Sequence, residues 1–312
     1  SLRLDGVEDR STTTNGNGFA NSYVVGDDDP STTSDFLSGS IGEFIVFATE
    51  LNTTRQTIVD NYLSAKYNIS LNTGGGANDV YAGDTNGKGD YDFGVFGIGQ
   101  ESGTDRHTSA ETDGLRFDLR SGLDNNGDYL VAGHRTKENS AVVTDISGSG
   151  VTPEARMERA WYVDRSNDGG SSITVDVTID LSKAGLLGPA GTASNYVLLE
   201  RAADASSGTN WSSVANGSSV ANDDEITFTG VTLTDGNEIT LGTTDQVGSP
   251  LGGAQIVLRG SAGNEGSTAD INPSGGDAGF VLLGPPESGG TYAGLASDTD
   301  PQLIEFDLPG PM

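Results

Sequence analysis

The sequence predicts an all-β fold of tandem antiparallel β-sandwich modules with one short helix at about residues 53–67. Apolar and polar residues alternate strictly along residues 173–181, which places the apolar side chains on one face of a strand and the polar ones on the other. Clusters of Gly, Asn, Asp and Ser separate this run from others like it, and these residue types form turns. Many short strands with frequent turns are typical of sandwiches.

Further strands are predicted by short runs rich in β-branched and aromatic residues. They lie at residues 115–119, 129–131, 161–163, 196–199, 226–228, 256–258 and 304–308.

The helix is predicted from its two ends and from its apolar spacing. Thr53 and Gln56 match a capping box, in which each side chain bonds a free backbone amide of the first turn. Asn68 is a suitable C-terminal stop. Apolar residues recur at helical spacing, at Ile58, Val59, Tyr62 and Leu63. This apolar stripe needs a sheet to cover, and we expect the strand-like segment 41–47 to belong to that sheet.

The composition excludes several classes of function. The 312 residues include 16 Lys and Arg against 45 Asp and Glu, for a formal net charge of −29. Such a surface repels polyphosphate backbones and anionic lipids, so we expect no nucleic-acid partner. No run of 18 or more apolar residues exists, which predicts no membrane insertion. With 0 Cys there is no disulfide, thiol nucleophile or zinc-thiolate site.

Two stretches carry a resemblance to a known family. The run from Gly39 to Phe47 precedes Leu51, and residues 61–69 contain a Tyr-Leu-x-x-Lys-Tyr motif. Residues 1–72 thereby resemble the C-terminal part of bacterial laminin-G-like domains, which are concanavalin A-like jelly rolls. The resemblance implies that only the last third of such a jelly roll is present. We therefore expect either a fragment of a longer precursor, or missing strands that a second copy supplies by strand addition.

The following residues are similar to a module that accompanies those domains. Strand-like stretches at residues 95–100, 127–134, 159–163 and 239–243 carry this likeness. Residues 78–245 thus resemble an uncharacterised β module of large secreted bacterial surface proteins, which implies an extracellular location at a cell surface. We expect residues 254–312 to form a β-rich C-terminal extension that could supply assembly strands.

Calcium is the cofactor that the sequence favours. Carboxylate and amide oxygens are the ligands that Ca²⁺ prefers, and one loop places them at positions 1, 3, 7 and 9 of an EF-hand-like pattern with Gly at position 6. These candidate ligands are Asp84, Asn86, Asp90 and Asp92. A weaker candidate set is Asp124, Asn126 and Asp128. Lys88 and Val95 depart from the pattern, and solvated turn residues are the alternative interpretation of both loops.

Enzyme chemistry has little support in the sequence. A serine triad needs a histidine, and the two candidates, His107 and His134, accompany no Gly-x-Ser-x-Gly elbow. A glycosidase needs two carboxylates beside a cleft with sugar-stacking aromatics, and Glu43 and Glu50 occur in no such motif. We expect catalytic residues to be absent.

The functional expectation is a non-enzymatic, extracellular structural or adhesive surface protein. Its incomplete first module predicts self-assembly into a filament or other polymer by β-strand complementation between subunits. The alternative is a calcium-dependent carbohydrate-binding module of a secreted adhesin, with a glycan as partner. A polysaccharide hydrolase is a more distant alternative. The acidic surface, which stays hydrated where salt screens its self-repulsion, suits a saline environment.

Overall fold

A computed structural model describes residues 2–4, 6–10, 39–75, 78–85, 90–135, 141–146, 153–166, 171–186, 189–203, 211–246 and 249–252. Helix α1 spans Thr53–Tyr67. The strands, in chain order, are β1 Leu2–Leu4, β2 Val7–Arg10, β3 Phe93–Ser102, β4 Asp105–His107, β5 Ser109–Thr112, β6 Leu115–Ser121, β7 Asp128–His134, β8 Ala141–Val142, β9 Ala155–Met157, β10 Trp161–Ser166, β11 Thr174–Asp180, β12 Tyr196–Ala202, β13 Ser212–Asn216, β14 Ser219–Ala221, β15 Glu225–Thr232 and β16 Asn237–Thr243.

Two antiparallel sheets face each other across one core. The nine-stranded sheet has the order β13-β12-β16-β10-β7-β3-β4, with β9 beside β16 and β8 beside β9. The five-stranded sheet has the order β14-β15-β11-β6-β5, and β1 and β2 form a separate hairpin. Phe96 of β3 stacks on Phe117 of β6 with ring centroids 5.0 Å apart, so the two sheets meet through their inner faces. The predicted all-β sandwich class is confirmed.

Strand β11 shows how the alternating pattern builds this core. Val175, Val177 and Ile179 are fully buried between the sheets, as the sequence predicts. The polar face of β11 is less exposed to solvent than the alternation predicts, because neighbouring residues contact two of its side chains. Thr178 bonds the hydroxyl of Thr227 on β15 at 3.0 Å, and the carboxylate of Asp180 accepts the backbone N–H of Lys183 at 3.0 Å.

Helix α1 has the predicted bounds but a different N-terminal cap. The cap residue is Asn52, whose side-chain oxygen accepts the backbone N–H of Arg55 at 3.1 Å. The predicted capping box of Thr53 and Gln56 is wrong, since the Gln56 amide instead donates to the carbonyl of Leu51 at 2.8 Å. Asn68 ends the helix in the left-handed conformation with φ 52°, as predicted.

The helix covers the outer face of the nine-stranded sheet. Its contacts are with β3 and β4, and Ile58 and Ala65 pack in a cluster with Val95 and Tyr129. The expectation that segment 41–47 forms the covered sheet is wrong, because this segment belongs to no helix or strand. The module to which the sequence assigns β3 provides the apolar surface instead.

Residues 1–253 form one compact unit. Helix α1 packs within this unit. The boundary between the first and second modules, at residues 72–78, therefore stays a prediction from sequence resemblance. Packing extends to Leu251, which is fully buried in the core beyond the expected module end at residue 245. The expected C-terminal extension, residues 254–312, lies outside the described residues, together with its strands at 256–258 and 304–308. No described helix is long and apolar enough to cross a membrane.

Candidate functional site

Carboxylates of the first predicted calcium loop lie around the buried ring of Tyr81. Burial raises the pKa of the Tyr81 phenol well above its ordinary value, and the charges of Asp84, Asp164 and Asp92 raise it further. Asp90 is exposed and has a left-handed backbone with φ 56°. Asn86 lies outside the described residues. The fold thus keeps Asp84 and Asp92 within electrostatic reach of each other.

Asp84 is half-buried and carries a perturbed carboxyl. Burial raises its pKa to about 6, and the charges of Asp79 and Asp92 add to the effect. The hydroxyl of Ser64 on α1 donates to its Oδ2 at 3.4 Å, which opposes the rise. A carboxyl with this pKa is only partly ionised just below neutral pH, and a nearby cation would favour its ionised form.

Only the fold brings Asp164 to the same ring, Tyr81, whose pKa the charge of Asp84 also raises. It lies on β10, and its Oδ2 accepts the backbone N–H of Ala82, which ties the loop before β3 to the sheet. Burial raises the pKa of Asp164 to about 6; the Ala82 hydrogen bond lowers it, and Asp235 raises it again. The linear sequence gives no signal for this pairing, since Asp164 is far from Asp84 along the chain.

The carboxylates around Tyr81 do not form a closed cage. Among the described residues, no three acidic or histidine side chains converge closely enough to hold a metal ion together. One oxygen in this region, Oδ1 of Asp92, is buried without a hydrogen-bond partner. Burial raises the pKa of Asp92, as does the charge of Asp90. Calcium binding at this loop stays a prediction.

The second predicted calcium loop is a hydrogen-bonded turn. Asp128 is fully buried, and its Oδ2 accepts the backbone N–H groups of Asp124 at 2.9 Å and of Asn125 at 2.8 Å. Asp124 and Asn126 are exposed. Such a turn uses the carboxylate to satisfy backbone donors. This gives Asp128 a structural role, while calcium binding by the loop stays a prediction.

The two histidines occupy different settings. His134 is buried, and its Nε2 lies 3.0 Å from Oδ2 of Asp113. Its ring lies against those of Phe93 and Trp161. His107 on β4 accepts a hydrogen bond from Nε of Arg55 at 3.3 Å, which links the sheet to α1. Burial lowers the pKa of His107, and the charge of Arg55 lowers it further. Both contacts join neighbouring elements of the fold.

A second candidate site is residues 41–47, which we call the apolar segment. Its five large apolar side chains are between 40% and 58% exposed, and they are Ile41, Phe44, Ile45, Val46 and Phe47. A folded protein rarely leaves so many large apolar side chains of one segment in water. The apolar segment is therefore a candidate interaction surface.

Polar contacts hold the apolar segment beside the end of α1. The carboxylate of Glu43 accepts hydrogen bonds from Nζ of Lys66 at 3.0 Å and from the hydroxyl of Tyr62 at 3.1 Å. The hydroxyl of Tyr67 donates to the carbonyl of Gly42 at 2.9 Å. The hydrogen bond from Lys66 is the main cause that lowers the pKa of Glu43. The segment is thus tied to the helix at Gly42 and Glu43.

Comparison with known proteins adds no relative, since no family model, curated protein or solved structure matches the chain. The resemblance to laminin-G-like domains therefore rests on the sequence motifs alone and stays a prediction.

Proposed function

We propose that this chain is a non-enzymatic extracellular protein with a structural or adhesive role, which assembles with further copies of itself by strand addition. The observation that carries the proposal is the exposure of the apolar segment, whose five large side chains lie between 40% and 58% in water. Strand addition would cover these side chains and pair the backbone that carries them. The expected location at a bacterial surface comes from the resemblance of the flanking modules.

The exposed area is large enough to drive association. Large apolar side chains that are half exposed leave roughly 100 Å² each in water, so the segment leaves on the order of 500 Å². At about 25 cal/mol per Å², complete burial of this area contributes on the order of 10 kcal/mol. The loss of translational and rotational freedom on association costs an amount of similar order, so the assembly is sensitive to conditions.

Because of the net charge, we expect self-assembly to depend on salt concentration. Two copies with a charge of −29 each repel one another in dilute buffer. At ionic strengths typical of saline habitats the Debye length falls to a few Å, which screens the repulsion between surfaces. The acidic composition therefore favours a protein that assembles in a saline exterior.

The native chain tests this proposal directly. We expect light scattering coupled to size-exclusion chromatography to show species larger than one chain, whose fraction rises with protein and salt concentration. Negative-stain electron microscopy then separates filaments from closed oligomers. A single species with the mass of one chain at every salt and protein concentration would contradict the proposal.

A calcium-dependent carbohydrate-binding module is the second candidate, and the carboxylates around Tyr81 favour it. Two of them, Asp84 and Asp164, have a pKa raised to about 6 mainly by burial and further by the charge of Asp79, and a divalent cation nearby would relieve this repulsion. Calorimetric titration of Ca²⁺ into chelator-treated protein, followed by glycan arrays with and without EDTA, tests this candidate. The absence of heat and of any shift in melting temperature would exclude it.

A further inference from the structure

The centre of the apolar segment is open on every side. Each of the four side chains from Phe44 to Phe47 is at least 40% exposed. Since neighbouring side chains of a strand point to opposite faces, a strand formed here has both faces available. In the described part of the chain, the backbone of residues 44–47 also forms no hydrogen bond. Backbone with free donors and acceptors can pair with an added strand.

The sequence at this centre is symmetric in side-chain type. Residues 44–47 read Phe-Ile-Val-Phe, with two β-branched residues between two aromatic ones. An antiparallel copy of the same run can place Phe44 opposite Phe47 and Ile45 opposite Val46, and each of these contacts then occurs twice. Aromatic and β-branched side chains in such cross-strand pairs stabilise sheets. The segment is thus complementary to itself in one antiparallel register.

Charge at the apolar segment permits two copies to approach. Glu43 is the only charged residue from 39 to 49, and Nζ of Lys66 lies 3.0 Å from its carboxylate. The segment and its contact on α1 therefore carry no net charge, in a chain whose net charge is −29. Two copies that meet here repel one another less than they would at an acidic surface, and the ion pair stays in place.

The position of α1 favours the antiparallel direction. The helix contacts the segment at one end, through Gly42 and Glu43. The antiparallel register places Glu43 opposite Ala48, so the Glu43 residues of the two copies lie roughly 17 Å apart along the strands. Parallel pairing would bring both helices, each about 10 Å wide, to the same end. It would also place the two Glu43 residues directly opposite each other, which is destabilising.

Resting on the proposed self-assembly, we infer that the partner of the apolar segment is the same segment of a second copy, paired antiparallel about a two-fold axis with Phe44 opposite Phe47. Two segments together bring roughly 1,000 Å² of apolar surface, the lower limit for a specific interface, so the dimer should dissociate on dilution. A two-fold contact engages the segment of both copies and closes at two chains, whereas a head-to-tail contact would continue into a filament.

Disulfide trapping tests the register, because the chain has 0 Cys and every introduced thiol is unique. Ile45→Cys chains are mixed with Val46→Cys chains that carry a mass tag, and the mixture is oxidised. Both variants keep Phe44 and Phe47. We expect the heterodimer to exceed each homodimer about ten-fold, since residues 45 and 46 lie opposite each other in this register. A heterodimer yield no higher than random pairing gives, or an excess of either homodimer, would overturn the register.

The matched control for this experiment mixes Ile45→Cys with Val214→Cys, at an exposed residue of β13. Its heterodimer measures the yield from random collisions and should be about ten-fold lower. Circular dichroism checks that each variant folds.

A charge placed opposite Glu43 tests the same register without a cross-link. Ala48→Lys puts a cation opposite the partner's Glu43 at both ends of the pair, so the dimer dissociation constant should fall about three-fold or more. The control Val214→Lys changes the net charge equally on β13 and should lower the constant less. Sedimentation velocity measures both constants. In a parallel pair the new cations would oppose each other, so a constant that does not fall below that of the control would overturn the antiparallel pairing.

The mass of the assembly separates this inference from the proposed function. We expect light scattering to reach the mass of two chains at high protein and salt concentration and to go no further. Filaments or larger rings, or a dimer whose cross-links do not follow the register, would overturn the inference and leave the proposed self-assembly standing. A chain that stays single under all conditions would overturn both.

Discussion

Asp105 of β4 receives two hydrogen bonds from Thr54, the second residue of α1. The backbone N–H of Thr54 donates to the carboxylate at 3.0 Å, and its hydroxyl donates to the Asp105 carbonyl at 2.8 Å. The backbone N–H of Thr53 donates to the other carboxylate oxygen at 2.9 Å. A side chain from the sheet thus satisfies two free amides of the helix, and its negative charge opposes the positive end of the helix dipole.

Removal of this carboxylate should loosen the helix from the sheet. We expect Asp105→Ala to lower the free energy of unfolding by about 1–2 kcal/mol, because the two amides lose their acceptor. Urea unfolding measures the change. The control Asp124→Ala, at an exposed turn residue whose backbone N–H is retained, should change stability by less than about 0.5 kcal/mol.

The same contact predicts a dependence on pH. Burial raises the pKa of Asp105, but the hydrogen bonds from Thr54 and Thr53 outweigh it and hold the pKa below its usual range. The stabilisation is therefore complete above the unfolded value of about 4 and is lost as the pH falls through the lower folded value. The difference between the native chain and Asp105→Ala should shrink at acid pH; a constant difference would contradict this account.

For Asp164 we expect the opposite dependence of stability on pH. Its folded pKa of about 6 lies above the unfolded value of about 4, so the folded state binds more protons in between, and stability falls as the pH rises through this window. We expect Asp164→Asn, which keeps an acceptor for the Ala82 amide, to be more stable than the native chain by roughly 1–2 kcal/mol at neutral pH.

Thermal unfolding in EDTA across this window measures the effect. The gain from Asp164→Asn should shrink as the pH falls towards 4 and vanish below about pH 3, where the native carboxyl is protonated in both the folded and the unfolded state. Asp124→Asn is the control, with no such gain. A gain of constant size from acid to neutral pH would show that charge is not its cause.

A clamp around Trp211 predicts the largest loss of stability. The indole is fully buried, and the guanidinium groups of Arg201 and Arg156 lie 4.2 Å and 5.2 Å from its ring centroid. Asp145 binds Arg156 through two hydrogen bonds of 2.7 Å and 2.8 Å, and it binds Arg201 through one of 3.0 Å. One carboxylate thus holds both cations against the ring.

We expect Asp145→Ala to lower the free energy of unfolding by about 2–4 kcal/mol, because it leaves two largely buried arginines without this partner. Denaturant unfolding measures the loss. The control Asp118→Ala removes one of three carboxylate partners of Arg116 on a more exposed face, where the side chains of Arg116 and Asp118 are 29% and 43% exposed, and should cost about 1 kcal/mol or less. Equal losses would contradict the clamp.

The apolar segment predicts a variant that loses assembly but not stability. Because Phe44 and Phe47 are exposed in the single chain, Phe44→Ser with Phe47→Ser should leave the melting temperature unchanged. The concentration needed for assembly should rise at least about ten-fold, since two large apolar anchors are lost. Sedimentation velocity measures this concentration. The control Val143→Ser with Val214→Ser removes exposed apolar residues elsewhere and should assemble normally.

Local patterns predicted much of the secondary structure. The alternation at residues 173–181 identified β11, and helical spacing with the stop at Asn68 identified α1 to its last residue. These signals are local, since strand faces and helix ends depend on residues a few positions apart. The cap at Asn52 was missed because its neighbours also match capping patterns, and the acceptor for the next amides, Asp105, comes from a distant strand.

The candidate sites were predicted less completely, because their residues come together from distant parts of the chain. The sequence predicted Asp84 as a candidate oxygen ligand, but Asp164, whose charge also acts on Tyr81, comes from another strand and reaches this region only when β10 packs beside the loop. Asp128 has the composition of a ligand, yet its carboxylate is used by the amides of its own turn. The composition of a loop does not reveal which of its oxygens the backbone uses.

By itself, the sequence determined the all-β class, the position of helix α1 and the acidic, cysteine-free composition, because alternation, spacing and charge can be read from the residues themselves. Only the tertiary structure decided what the helix covers and that the apolar segment is exposed. The outer face of β3 occupies the helix, so residues 41–47 remain exposed. Packing partners and free edges depend on which distant strands meet, and a linear pattern does not record that.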